Sequence, residues 1–384
     1  MKVLFVESYP HVIMGQQLTL LALLKAAKAQ EIESVVACTA EGIYTTKLRE
    51  EGYQVEVFPY PTSLQAYGGE IYRYGLLKKC RTYAQIIPYI LQLKKQILQL
   101  NVNVVYCNDM RGLLTVGVAA KAAGIPVVIW DKLDKPHGWL DKIQLPLVSK
   151  NIIISDAVRV KYPVYQQKLL SNKIVKIYEG VHFDEMHSLE NIRTEFGFTA
   201  QDIVIAIVGS ISSRKGHDRI FSIFPSLLTK NHHTKLLVVG DTSGSDSEIK
   251  YKNSLENANN KAVVWAGYRQ DIPAIMNSID ILIMPSRYEG MGMVGIEAMA
   301  FAKPVVGAKS GGIPEVIEHG VTGFIFDGNN SDDFEDKLLR LCGSADLRQE
   351  MGLAGLKRAK KYFNRTIQHE KVINLLQQGS RTKA

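Results

Sequence analysis

The 384-residue sequence lacks most features that would commit it to a special environment. It has four cysteines, Cys38, Cys80, Cys107 and Cys342, far apart and with no C-x-x-C pair. That spacing excludes a disulfide scaffold and a thiolate metal site, and fits free buried thiols in a reducing cytosol. No apolar run reaches the ~18 residues that a membrane-spanning helix needs; Lys121, Asp131, glycines and prolines break the longest ones. The opening residues Met1 to Val6 read as a strand, without the basic, apolar and small-residue series of a secretion signal. Short-period repeats and low-complexity tracts are also missing. No His, Cys and Asp cluster has metal-ligand spacing, so no metal or other cofactor is expected. The G-x-G-x-x-G fingerprint of dinucleotide enzymes is absent as well. Acid is scarce in one place: between Glu70 and Asp109 there is none, while Arg73, Lys78, Lys79, Arg81, Lys94, Lys95 and five tyrosines fill the interval.

What is present is ordinary for a globular chain with a sizeable core: 46% hydrophobic and 22% charged residues, with a net charge of +8. Short β-branched runs alternate with helical patterns from end to end. Strands are expected at Val3–Val6, Ser34–Cys38, Val55–Phe58, Val104–Cys107, Pro126–Trp130, Asn151–Ile154 and Val175–Tyr178. A second series follows at Ile203–Val208, Lys235–Val239, Val263–Trp265, Ile281–Met284, Pro304–Val306 and Gly323–Phe326. The alternation predicts βαβ units in two parallel sheets, one per half. The boundary falls near Gly180 to Asn191, where a polar stretch separates the two series.

The most telling segment follows the apolar run Ile279–Pro285: Ser286-Arg287-Tyr288-Glu289-Gly290-Met291-Gly292-Met293-Val294-Gly295-Ile296-Glu297. A strand, a Gly-rich turn and a helix start in that order place Glu289 at a strand tip. Glu297 comes one to two turns into the helix, and unpaired amides lie between the two. Such a helix end attracts anions. One carboxylate can accept from sugar hydroxyls, the other from ribose hydroxyls, with a diphosphate between them. The pattern E-G-x-G-x-x-x-x-E-A-M resembles the E-x7-E signature of retaining glycosyltransferases of family 4.

The resemblance implies an α/β chain of GT-B fold: two Rossmann-like, doubly wound domains facing a central cleft. The N-terminal, acceptor-binding domain would comprise residues 1–185, with a C-terminal helix, 363–384, packing back on it. The C-terminal, nucleotide-sugar-binding domain would comprise 186–362. It also implies transfer of a sugar from a UDP- or GDP-linked donor to a glycan or lipid-linked acceptor hydroxyl with retention of configuration, in bacterial polysaccharide or glycolipid biosynthesis. The cytoplasm is the expected location, peripherally on the inner face of the membrane.

Further motifs align with this family. Ile205–Gly216 reads as a strand and a polar loop ending in Arg214-Lys215-Gly216, without the G-K-[ST] order of a P-loop. It is similar to the family's K-G loop, whose cations neutralise the leaving diphosphate. Relatives carry Arg directly after the strand's Gly; here Ser210 stands there, and Arg214 is the substitute beside Lys215. Gly311-Gly312-x-x-Glu315 and Gly320-x-x-Gly323 resemble the turns that follow. Tyr268, after the third strand of the second series, falls where relatives contact the nucleobase. The donor set completes with Gly15, in a first-half loop whose usual preceding Gly is Met14 here, and with Gly290, Met291, Gly292, Met293, Val294 and Glu297. His137 resembles the family's sugar-touching histidine, with His11 as the competitor, and Asp109 is the acceptor-binding candidate.

The basic stretch 71–100 carries a stripe of Ile86, Ile90, Leu93, Ile97 and Leu100. It reads either as a core-facing helix with a solvated basic face or as a surface for anionic membrane; nucleic acid is not expected, since no binding motif accompanies it. The alternatives to a transferase are a non-catalytic GT-B protein that binds a nucleotide sugar or a partner enzyme, a sugar-nucleotide epimerase, and a glycosidase using the two carboxylates, which leaves the Arg-Lys loop unexplained.

Overall fold

The computed structural model describes residues 1–61, 76–133, 136, 138–184, 190–257 and 260–381, with the backbone only at 76–83, 380 and 381. The first series of strands forms one parallel sheet in the order β3-β2-β1-β4-β5-β6-β7. Its members are β1 (Lys2–Glu7), β2 (Glu33–Cys38), β3 (Gln54–Val57), β4 (Val104–Cys107), β5 (Val127–Asp131), β6 (Lys150–Ile153) and β7 (Ile174–Lys176). The second forms another in the order β10-β9-β8-β11-β12-β13. These are β8 (Ile203–Val208), β9 (Thr234–Val239), β10 (Val263–Gly267), β11 (Ile281–Met284), β12 (Val305–Ala308) and β13 (Gly323–Phe326). β4 and β11 are buried at every residue, as a strand covered on both faces must be. Each expected strand is present, with ends shifted by at most two residues; β7, for example, stops at Lys176 rather than Tyr178.

Both sheets reverse strand order once, at β1/β4 and at β8/β11. Such switch points leave a crevice beyond the carboxyl ends of the strands, where ligands bind in this architecture.

The core continues from one half into the other. A single apolar cluster joins Phe5, Trp130 and Ile152 to Phe363, Ile373 and Leu376, and then to Leu282, Ile296 and Met299. The C-terminal helix, Arg365–Arg381, starts two residues later than the pattern suggested and docks against the helix Gly15–Ala29 of the first half. The two strands of chain that join the halves run side by side. Val181 N–H donates to Phe363 O at 3.0 Å, Arg365 N–H to Val181 O at 3.0 Å, and Arg365 Nε to Gly180 O at 2.9 Å. A Cβ at Gly180 would lie 2.5 Å from Phe363 O, so this crossing requires glycine.

The helix Leu76–Gln99 covers the outer face of the first sheet. Leu93 and Ile97 are fully buried, and Ile90 and Leu100 pack against them as the stripe predicts. Ile87, Leu91 and Leu98 point outward instead, in the company of Lys94 and Lys95.

Candidate active site

Three loops at the carboxyl ends of β8, β11 and β12 converge at the second switch point. The loop after β8 turns at Gly209 and closes at Gly216, whose φ of +72° is left-handed. A Cβ there would run into the Pro285 carbonyl oxygen, so glycine lets the Arg214-Lys215 turn lie flat on the end of β11. Lys215 Nζ then reaches Glu289 Oε2 at 2.6 Å. Both side chains are largely shielded, at 16% and 13% exposure, so water screens this pair less than a surface pair. Ser286 Oγ adds a bond to the same oxygen at 3.3 Å. Arg214 lies at the rim, its Nη1 3.9 Å from Glu289 Oε2 and 3.2 Å from Tyr288 O.

The backbone of Glu289 is fixed from the other side. Gly312 N–H donates to Glu289 O at 2.8 Å, and Gly311, at φ +52°, sits so close to that carbonyl that no Cβ fits. Gly292, at φ +93°, starts the helix Met293–Ala300 without a side-chain cap. Its first amides therefore add positive potential beside the Lys215–Glu289 pair.

Glu297 lies inside this helix, partly buried and without a hydrogen-bond partner among the described residues. Burial pushes its carboxyl above the ordinary range, opposed by the charges of Arg365 and Lys215. Lys215 thus acts on both carboxylates.

The structure brings together Lys215, Arg214, Glu289, Gly290, Met291, Gly292, Met293, Val294 and Glu297. Ser210 is exposed after β8, and Tyr268 is 72% exposed after β10, two strands away from β8. In the first half, Gly15 opens its helix with open space around it and an ordinary φ, so local packing does not demand glycine there. Both oxygens of Asp109 are held by backbone amides, Gly112 at 2.8 Å and Ser8 at 3.0 Å. Burial and the neighbouring Glu7 raise its pKa to about 6. His137 and residues 71–75 lie outside the described residues.

Sequence reasoning missed Glu7. It is fully buried at the end of β1, where Asn108 Nδ2 (2.7 Å), Tyr9 N–H (2.9 Å) and the amides of Gln16 and Gln17 (3.1 Å) surround it. A charge closing an apolar strand was its only signal. Among the described residues no group of three His, Cys, Asp or Glu could hold a metal ion.

Residues 189–358 match the family model of glycosyl transferases group 1. The matched residues contain the whole second sheet. Among curated relatives, the capsular polysaccharide biosynthesis glycosyltransferase CapM of Staphylococcus aureus is 27% identical over 237 residues, covering 59% of this chain and 61% of its own. A GDP-mannose-dependent phosphatidylinositol monomannoside mannosyltransferase of Corynebacterium glutamicum is 29% identical over 196 residues, covering 49% and 51%. The chain therefore spans about half to three-fifths of the curated relatives it matches. Whole-chain likeness comes from solved structures. HepE of Anabaena in complex with UDP superposes with a TM-score of 0.79 at 21% identity, covering 98% of this chain and all of its own. The lipopolysaccharide glycosyltransferase WaaG superposes at 0.67 and 15%, covering 98% and 99%. The chain has the two-sheet GT-B fold of these proteins.

Proposed function

We propose that this protein moves a sugar from a nucleotide-diphospho-sugar to an acceptor hydroxyl with retention of configuration. The observation that carries the reading is the Lys215–Glu289 pair at 2.6 Å beside an uncapped helix start at a sheet switch point. Lys215 and Arg214 meet the diphosphate, on which negative charge grows as the bond from the anomeric carbon to the phosphate oxygen breaks. Diphosphate binding draws Lys215 from Glu289, which frees that carboxylate to accept from donor-sugar hydroxyls; Glu297 accepts from the ribose. The acceptor oxygen bonds to the anomeric carbon on the face the phosphate leaves, and the departing phosphate oxygen takes the acceptor proton. Two cations and a helix dipole at the diphosphate serve in place of a metal.

In this reading residues 186–362 hold the nucleotide and residues 1–185, with the returning helix 363–384, hold the acceptor. The complex of HepE with UDP favours a uridine donor. CapM and the mannosyltransferase suggest a bacterial polysaccharide or glycolipid acceptor. The outward Ile87, Leu91 and Leu98 beside Lys94 and Lys95 suit peripheral binding to an anionic membrane at its cytoplasmic face.

Thermal shift against UDP, GDP, ADP and TDP, with and without EDTA, tests the site. One diphosphate at 100 times its Kd stabilises the protein by ~2.7 kcal/mol. That shift should persist in EDTA. Glu289→Gln should keep it while losing nearly all transfer. No shift with any diphosphate, or wild-type turnover by Glu289→Gln, refutes the reading.

A further inference from the structure

Side chains and an amide of the first half reach across to the two loops that hold Glu289. Ser155, fully buried just after β6, donates its hydroxyl to Gly290 O at 2.6 Å. The next residue, Asp156, donates its amide to Glu315 Oε1 at 2.6 Å. From the end of β7 and just beyond it, Lys176 Nζ and Tyr178 OH donate to Glu315 Oε2 at 2.9 and 3.2 Å. Glu315 belongs to the short helix Ile313–Val316, directly after Ser310 and Gly312. Those two residues hold the other loop: Ser310 Oγ donates to Arg287 O at 2.6 Å and Gly312 N–H to Glu289 O at 2.8 Å. Arg358 anchors the same helix within its own half, through Glu315 O and Val316 O at 2.9 Å each.

The packing at this crossing leaves little slack. A Cβ on Gly290 would stand 2.6 Å from Lys132 O, and one on Gly312 would collide with Gly290 O. The 287–290 loop is thus wedged between the first half and the 310–315 segment. Glu289 has no regular secondary structure of its own to hold it.

We infer that Ser155 and Glu315 are positioning residues that set the carboxylate of Glu289 when the two halves come together. Ser155 does so directly through Gly290. Glu315 does so through the Ser310–Gly312 turn, using Lys176, Tyr178 and the Asp156 amide as its fixed points. Neither touches the reacting atoms. The inference rests on the transfer reading for its effect on rate and on geometry alone for its effect on the loop. Misplacing a reacting group by about 1 Å is enough to cost on the order of 10²-fold in rate.

The test uses the full chain and three variants, Ser155→Ala, Ser155→Thr and Lys176→Met, the last removing a fixed point of Glu315 from the opposite side. Two readouts are taken: amide hydrogen exchange over residues 286–292, and kcat and KM for donor turnover. Ser155→Ala and Lys176→Met are expected to speed exchange in that segment and to lower kcat about 10-fold or more with donor KM little changed. Ser155→Thr, which keeps the hydroxyl, is expected to restore both. Unchanged exchange in both loss variants overturns the inference whatever the activity, as does a loss confined to KM. If the wild type turns over no donor while exchange still responds, the transfer reading falls and the positioning role stands.

Discussion

Lys215 is the residue on which the site turns. It bonds to Glu289 at 2.6 Å, and after Arg365 it opposes the upward push of burial on the carboxyl of the partly buried Glu297. Removing it would leave one carboxylate without its cation and let burial push the other further up. Lys215→Met is therefore expected to reduce kcat by on the order of 10²–10³, the loss seen when one preorganised charge stabiliser is deleted. Steady-state kinetics check this; a change below threefold would take Lys215 out of the reaction. Arg214 is exposed at the rim and has a longer contact to Glu289, so Arg214→Met should cost less. This ranking was only half legible in the sequence, because Arg214-Lys215 reads as a pair and the turn that points one inward is a property of Gly216.

At the scale of elements, the C-terminal helix ties the halves together and carries a buried histidine. His369 is 2% exposed and lies beside Glu179, Lys132 and Arg365. Burial lowers its pKa to about 4. The folded chain thus keeps His369 neutral while the unfolded chain protonates it near 6.5. Between these values the unfolded state binds more protons, so the contribution is full above about pH 6.5 and is lost as pH falls towards 4. The shift corresponds to roughly 3 kcal/mol at most. Melting curves from pH 7 to 4 should fall less steeply for His369→Gln than for wild type; parallel curves would exclude the linkage. His217, fully buried with its pKa also lowered to about 4, keeps a remaining slope in the variant.

At the scale of the whole molecule, one helix presents an apolar and basic face to solvent. The helix Leu76–Gln99 buries Leu93 and Ile97 and turns Ile87, Leu91 and Leu98 outward beside Lys94 and Lys95. The buried side of this helix meets the core-helix reading of the stretch; the membrane reading is a proposal for its outward side. Replacing Lys78, Lys79, Lys94 and Lys95 with Gln should weaken binding to anionic vesicles, by about 1 kcal/mol for each lysine near the surface, and flatten its salt dependence. Sedimentation with vesicles rich in anionic lipid checks this; equal binding by the variant would leave the lysines as a solvated face.

The sequence by itself determined the strands and their parallel arrangement, and it put Lys215, Glu289 and Glu297 forward as the candidate set. Each is written locally: continuous apolar runs make buried strands, and glycines mark turns that only glycine can take. The sheet orders, the burial of Glu7, the occupied oxygens of Asp109 and the bridge from Ser155 and Lys176 to the loops around Glu289 were decided by tertiary structure. These contacts join residues more than a hundred positions apart in several cases, and polar partners at such separation leave no periodic trace in the chain. A serine after a strand or a glutamate after two glycines looks the same whether it faces water or another half of the molecule; only the folded chain brings the partner to it.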